Sequence, residues 1–84
     1  MENAKKQKLT LYRPVTYQVQ IPGKMDETWL DWFGEIAIDT DSDENGFPIT
    51  TLIGTFDQAA LIGLLRRLYS LGLPLISVAY LVDQ

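Results

Sequence analysis

The segment 57–82 constrains the fold most, because it contains the signals for both ends of a helix and for the strand that follows. Asp57 is a typical helix N-cap residue. Gly72 stands where a left-handed residue commonly ends a helix, and Pro74 prevents the helix from continuing. The segment therefore predicts a helix between Asp57 and Gly72 and a buried final strand over 75–82.

Three earlier segments carry the alternation of a β-strand. Apolar residues alternate with Thr and Gln over 15–21, which predicts a strand with one solvated face. Residues 35–39 alternate again, and 47–56 form a return strand after Asn45-Gly46, a pair that favours hairpin turns because both residues tolerate positive φ. The predicted order is strand, short helix, strand, strand, helix, strand.

The Trp-rich segment 26–33 decides between two topologies. Its sequence, DETWLDWF, predicts a short helix that begins at Asp26 and ends before Gly34. If this segment crosses between parallel strands, the fold is ferredoxin-like; if it is only a loop, the first three strands form a meander. Roughly twelve residues are available, near the lower limit for a crossover, which favours the meander. Either way, we predict an α+β fold with a four-stranded, mainly antiparallel sheet and one long helix on one face.

Length and composition restrict the chain to a small soluble class. Its 84 residues make one domain, predicted over 9–84 after a flexible basic tail at 1–8. The net charge of −4 disfavours nucleic acid as a partner. No apolar run is long enough to cross a membrane, and no apolar segment of the secretory type follows the basic tail, so we expect a cytoplasmic protein.

Residue types needed for most catalytic and metal sites are missing. The chain has no Cys and no His, which removes thiolate chemistry and the commonest general base. Its serines therefore lack the usual activating partner, and the spacing of Asp26, Asp31 and Glu35 is that of a solvated helical face. We predict no catalytic residues, no cofactor and no enzymatic activity.

The loop 41–46 (DSDENG) resembles the first half of a calcium-binding loop. Leu52, however, stands where a bidentate Glu would be needed, and strands are predicted on both sides of the loop. An acidic hairpin turn explains the same residues, so no metal site is predicted.

Apolar residues exceed what one helix can cover. Ile62 and Tyr69 form a line on the helix outside the main leucine stripe, and the final strand is apolar on both faces. A homodimer would bury this surplus, with an interface predicted at Ile62, Tyr69, Ile76, Val78 and Tyr80. Alternatively, the Trp-rich helix and the N-terminal arm cover the second face of the sheet.

Two stretches, DWFGEIAI at 31–38 and TTLIGTFDQAALIGLLRRLYSLGLPLISV at 50–78, resemble a group of small prokaryotic proteins of unknown function. Their shared pattern has His in the helix where this chain has Ile62. The resemblance implies a compact α+β protein without an assigned reaction. SLGLPLISV at 70–78 is also similar to the helix-to-strand junction of ACT-type regulatory domains, which bind amino acids between paired domains.

Two functions follow as hypotheses. The first is a non-enzymatic homodimerisation or protein-interaction module. The alternative is a regulatory domain that senses a small, amino-acid-like ligand near Gly54 and Asp57, where the start of the helix favours a carboxylate.

Overall fold

Within the described residues the elements follow one another in the order strand, strand, strand, helix, strand. A computed structural model of the chain describes residues 9–26, 28 and 35–81. The elements are β1 (Val15–Pro22), β2 (Ile36–Ser42), β3 (Pro48–Phe56), α1 (Gln58–Ser70) and β4 (Ser77–Tyr80). The predicted basic tail, most of the Trp-rich segment, and Val82 at the end of the predicted final strand lie outside the described residues.

The four strands form one antiparallel sheet in the order β2-β3-β1-β4. Strands β1 and β2 are therefore parallel to each other with β3 between them. The meander that the short connection favoured is wrong, and the ferredoxin-like strand order is the one found. The connection from Pro22 to Ile36 spans two strand spacings, about 10 Å, and an offset of about five residues along β3, about 17 Å, which is within the reach of this length of chain.

The predicted α+β class is confirmed, and α1 packs on one face of the sheet. Alternate residues of β1 and β3 supply the sheet's part of the core, and every third or fourth residue of α1 supplies the rest. Met25 joins the same core, so the chain leaves β1 on the helix side. The buried apolar residues are Tyr17, Val19, Ile21, Met25, Leu52, Phe56, Leu61, Leu64 and Leu68.

The second face of the sheet carries Thr and Gln on β1, and Thr together with Ile49 and Ile53 on β3. Its side chains bond to one another across strands: the Thr16 and Thr55 hydroxyls lie 3.3 Å apart, and the Gln20 amide donates to the Thr51 hydroxyl. The Ser77 hydroxyl of β4 donates to the Gln20 side-chain oxygen. Thr16, Gln18 and Gln20 of β1 lie on this face, as the alternation over 15–21 predicts.

Both predicted ends of α1 are confirmed. The Asp57 carboxylate accepts a hydrogen bond from the Ala60 backbone N–H at 2.9 Å. At the other end Gly72 has a φ of +78°, and its N–H donates to the Tyr69 carbonyl. The Leu73 N–H donates to the Leu68 carbonyl, which completes a Schellman motif.

The hairpin between β2 and β3 differs in detail from the expected turn. Gly46 alone takes positive φ, at +85°, and Asn45 does not. The Asp43 carbonyl accepts from the Gly46 N–H, and the Asp43 carboxylate accepts from the N–H groups of Asn45 and Phe47. The turn is thus a type I turn followed by a left-handed glycine, and its acidic residue has a structural use.

Candidate functional site

The five predicted interface residues differ in exposure. Tyr69 is 85% exposed and Ile62 is 43% exposed on α1, while Ile76 and Val78 are exposed at the β4 end of the sheet. Tyr80 is half-buried, and its ring lies 6.1 Å from the ring of Tyr17. Four of the five residues are therefore available for contact, whereas Tyr80 also packs against the core.

We infer that the line of Ile62 and Tyr69 lies on the flank of α1 nearer to β4. Gln58 lies on the same helical line, one turn before Ile62, and its side-chain amide donates to the Tyr17 hydroxyl at 2.8 Å. Tyr17 in turn contacts Tyr80 of β4. Strands β3 and β4 are parallel, and α1 connects them. With the right-handed connection found in nearly all proteins, this flank of α1 also lies toward β4.

The N-terminal arm extends the same side of the molecule. The Leu11 carbonyl accepts from the Gln58 backbone N–H at 3.1 Å, which holds the arm against the start of α1. Tyr12 is 84% exposed there, and together these residues border a cavity of about 330 Å³ that also contacts Ile62. At Leu11 and Tyr12 the arm therefore lies beside the start of the helix.

These residues form one candidate contact surface, which we call the β4-side surface. It consists of the exposed apolar side chains of the arm, of the flank of α1 and of the β4 end: Leu11, Tyr12, Ile62, Tyr69, Ile76 and Val78. Sequence reasoning missed Leu11 and Tyr12. Their only signal was a short apolar cluster before Pro14, which carries no periodicity.

The structure does not bring the two predicted ligand-binding residues together. On the helix side Gly54 is covered by Phe56: a Cβ atom at Gly54 would lie 2.6 Å from the tip of that ring. On the other side Gly54 borders an open depression of about 930 Å³ that Thr16 and Glu35 also line. Asp57 borders the separate cavity beside Leu11.

Three of the donors at the start of α1 are already engaged. The Gln58 N–H donates to the Leu11 carbonyl, the Ala60 N–H to the Asp57 carboxylate and the Leu61 N–H to the Asp57 carbonyl. A ligand carboxylate at this position would compete with these bonds and meet the negative charge of Asp57. The helix start thus offers little to an anionic ligand.

Polar side chains elsewhere serve local structure. The Asp26 carboxylate accepts from both the backbone N–H and the hydroxyl of Thr28, and the Ser70 hydroxyl donates to the Arg67 carbonyl. Glu35 is exposed just before β2, and Asp31 lies outside the described residues. Within the described ranges, no three acidic side chains are grouped closely enough to hold a metal ion.

Among the described residues no helix has the length and apolar character needed to cross a membrane.

Comparison with known proteins identifies a family. Comparison with curated proteins gives no match, and comparison with solved structures gives none either. A family model for a domain of unknown function matches residues 16–79, which run from the start of β1 into β4. The chain therefore belongs to the DUF8691 family of domains of unknown function.

Proposed function

We propose that this chain is a non-enzymatic self-association module that works as a homodimer. One observation carries the proposal: the exposed large apolar side chains of the described residues are concentrated in three short parts of the chain. Apart from Phe47 in the hairpin, those of the described residues belong to the arm, to the flank of α1, or to β4 and the segment just before it. Soluble monomers seldom expose continuous apolar surface of this kind.

The chemistry of the exposed residues supports a protein partner. Tyrosine is enriched at the centres of protein interfaces because it supplies large contact area at a low cost in side-chain entropy. Tyr12 and Tyr69 are both more than four-fifths exposed and stand at opposite ends of the flank that includes Ile62. The β4-side surface thus has the composition of an interface and lacks the convergent charged groups of a catalytic site.

We expect Tyr69→Glu to weaken self-association roughly tenfold or more, because a charge would have to be buried at the interface. The stability of the monomer should change little, because Tyr69 is 85% exposed. Sedimentation equilibrium over a wide concentration range measures the dissociation constant of the wild type and the variant.

Ser70→Glu is the matched control. Ser70 is exposed, adjacent to Tyr69 and turned away from β4, so the same charge there should leave the dissociation constant unchanged. Equal weakening by both variants would point to a general charge effect. An unchanged dissociation constant for Tyr69→Glu would remove this flank from the interface.

The alternative is a domain that senses an amino-acid-like ligand, as in ACT-type regulatory domains. The cavity beside Leu11 and Asp57, about 330 Å³, lies within the size range of small-molecule sites and supports this alternative. A thermal-shift panel of amino acids and nucleotides separates the two functions. A rise of several degrees with one ligand class would favour the sensor, because ligands that bind the native state stabilise it. No response across the panel favours the interaction module.

A further inference from the structure

The two edges of the sheet differ in charge. The outer strand β2 carries the exposed carboxylates Asp39 and Asp41, and Glu35 stands just before it. The other outer strand, β4, has the sequence SVAY without any charge or proline. Charged side chains on an edge strand are a common device against pairing with another chain. Only the β2 edge has this protection.

The backbone of β4 leaves hydrogen-bonding groups directed outward. The Leu81 N–H donates to the Thr16 carbonyl at 2.9 Å, in register with the pairing of Ser77 and Gln20. Bonded and non-bonded positions alternate in an antiparallel ladder, so Ser77 and Ala79 bond to β1. The N–H and C=O of Val78 therefore point away from the sheet.

We propose that β4 pairs antiparallel with β4 of a second copy and joins the two four-stranded sheets into one of eight strands. This inference rests on the proposed self-association. Pairing of β4 with itself is a closed two-fold contact. Pairing of two β2 edges would oppose carboxylates, and pairing of β4 with β2 would leave further edges open for growth.

In this arrangement the exposed residues of α1 and those of β4 contribute to the same interface. The two-fold axis of such a dimer is perpendicular to the sheet, so both copies of α1 lie on the same face. The flank with Ile62 and Tyr69 faces β4, and in the dimer it faces its own equivalent across the axis. The helix line and the final strand then form one interface with the same residues of a second copy of this chain.

Amide hydrogen exchange tests the pairing directly. At concentrations where the protein sediments as a dimer, the Val78 N–H should be protected from exchange, and dilution to monomer should remove that protection. Thr40 of β2 is the matched control. The Asp43 N–H donates to the Phe47 carbonyl, and bonded positions alternate along β2 from there. The Thr40 N–H therefore also points away from the sheet. It should exchange rapidly in both states.

Val78→Pro provides a second measurement. Among the backbone hydrogen-bonding groups, this proline removes only the outward N–H of residue 78, so the fold should persist while the dimer is lost. Ala79→Pro instead removes an N–H that donates to β1, and it should unfold the chain. A dimer in which Val78 exchanges as fast as Thr40, or a folded Val78→Pro variant that still dimerises, would overturn edge pairing. Such results would leave the proposed homodimer intact. A wild type that is monomeric throughout would overturn both.

Discussion

Replacement of Leu52 by alanine is expected to lower the free energy of unfolding by about 2–5 kcal/mol, because it leaves a cavity in the centre of the core. Leu52 is 1% exposed and stands in β3 opposite Val19 of β1 and Ile38 of β2. The total stability of a domain this size is of order 4–13 kcal/mol, so the loss is a large share of it. Urea denaturation followed by circular dichroism measures the change.

Ile53→Ala is the control, because Ile53 is the next residue of the same strand and its side chain is on the second face. It is half-buried among polar neighbours, and we expect a loss of about 1 kcal/mol. Similar losses for the two variants would show that the second face is as well packed as the first. That result would contradict a sheet covered by the helix on one face only.

Gly54→Ala is expected to cost about 1–3 kcal/mol of unfolding free energy, although it adds a single methyl group. The new Cβ would lie 2.6 Å from Cζ and 2.9 Å from Cε2 of Phe56, and both contacts are far inside van der Waals distance. The ring has little room to move because Phe56 is buried in the core. Thermal and urea denaturation of the variant measure the loss.

A second substitution tests the cause. In a Phe56→Leu background the ring is gone, so Gly54→Ala should cost much less than in the wild type, and the double-mutant cycle should show coupling. Strict additivity of the two substitutions would contradict the close approach of the Phe56 ring. The loss at Gly54 would then have to come from the backbone alone.

The elements that sequence predicted well are those with local signals. Both ends of α1 are determined by residues within one turn: Asp57 bonds to the third residue after it, and Gly72 adopts the left-handed conformation that glycine favours. The alternation in β1 likewise identifies its buried face, with Val19 inward and Gln18 outward. Because these interactions span only a few residues, they can be predicted without knowledge of the rest of the fold.

Strand order could not be read in the same way. Whether β1 pairs with β2 or with β3 depends on contacts between residues more than thirty positions apart, such as Val19 with Leu52. The short connection after β1 suggested the wrong choice. Strand β4 is also shorter than predicted: within the described residues its regular pairing covers Ser77–Tyr80.

The candidate surface was predictable in part. The spacing of Ile62 and Tyr69 identified the exposed line of α1, and the lack of polar residues marked β4. The place of the arm was not predictable, because it depends on a backbone hydrogen bond from Gln58 to Leu11 that no side-chain pattern encodes.

Molar mass by sedimentation equilibrium, measured over a wide range of concentrations, tests the central claim most directly. A homodimer that uses the β4-side surface predicts a mass near twice the 9.5 kDa of the chain, with dissociation only on strong dilution. A mass of one chain at every concentration would contradict the account.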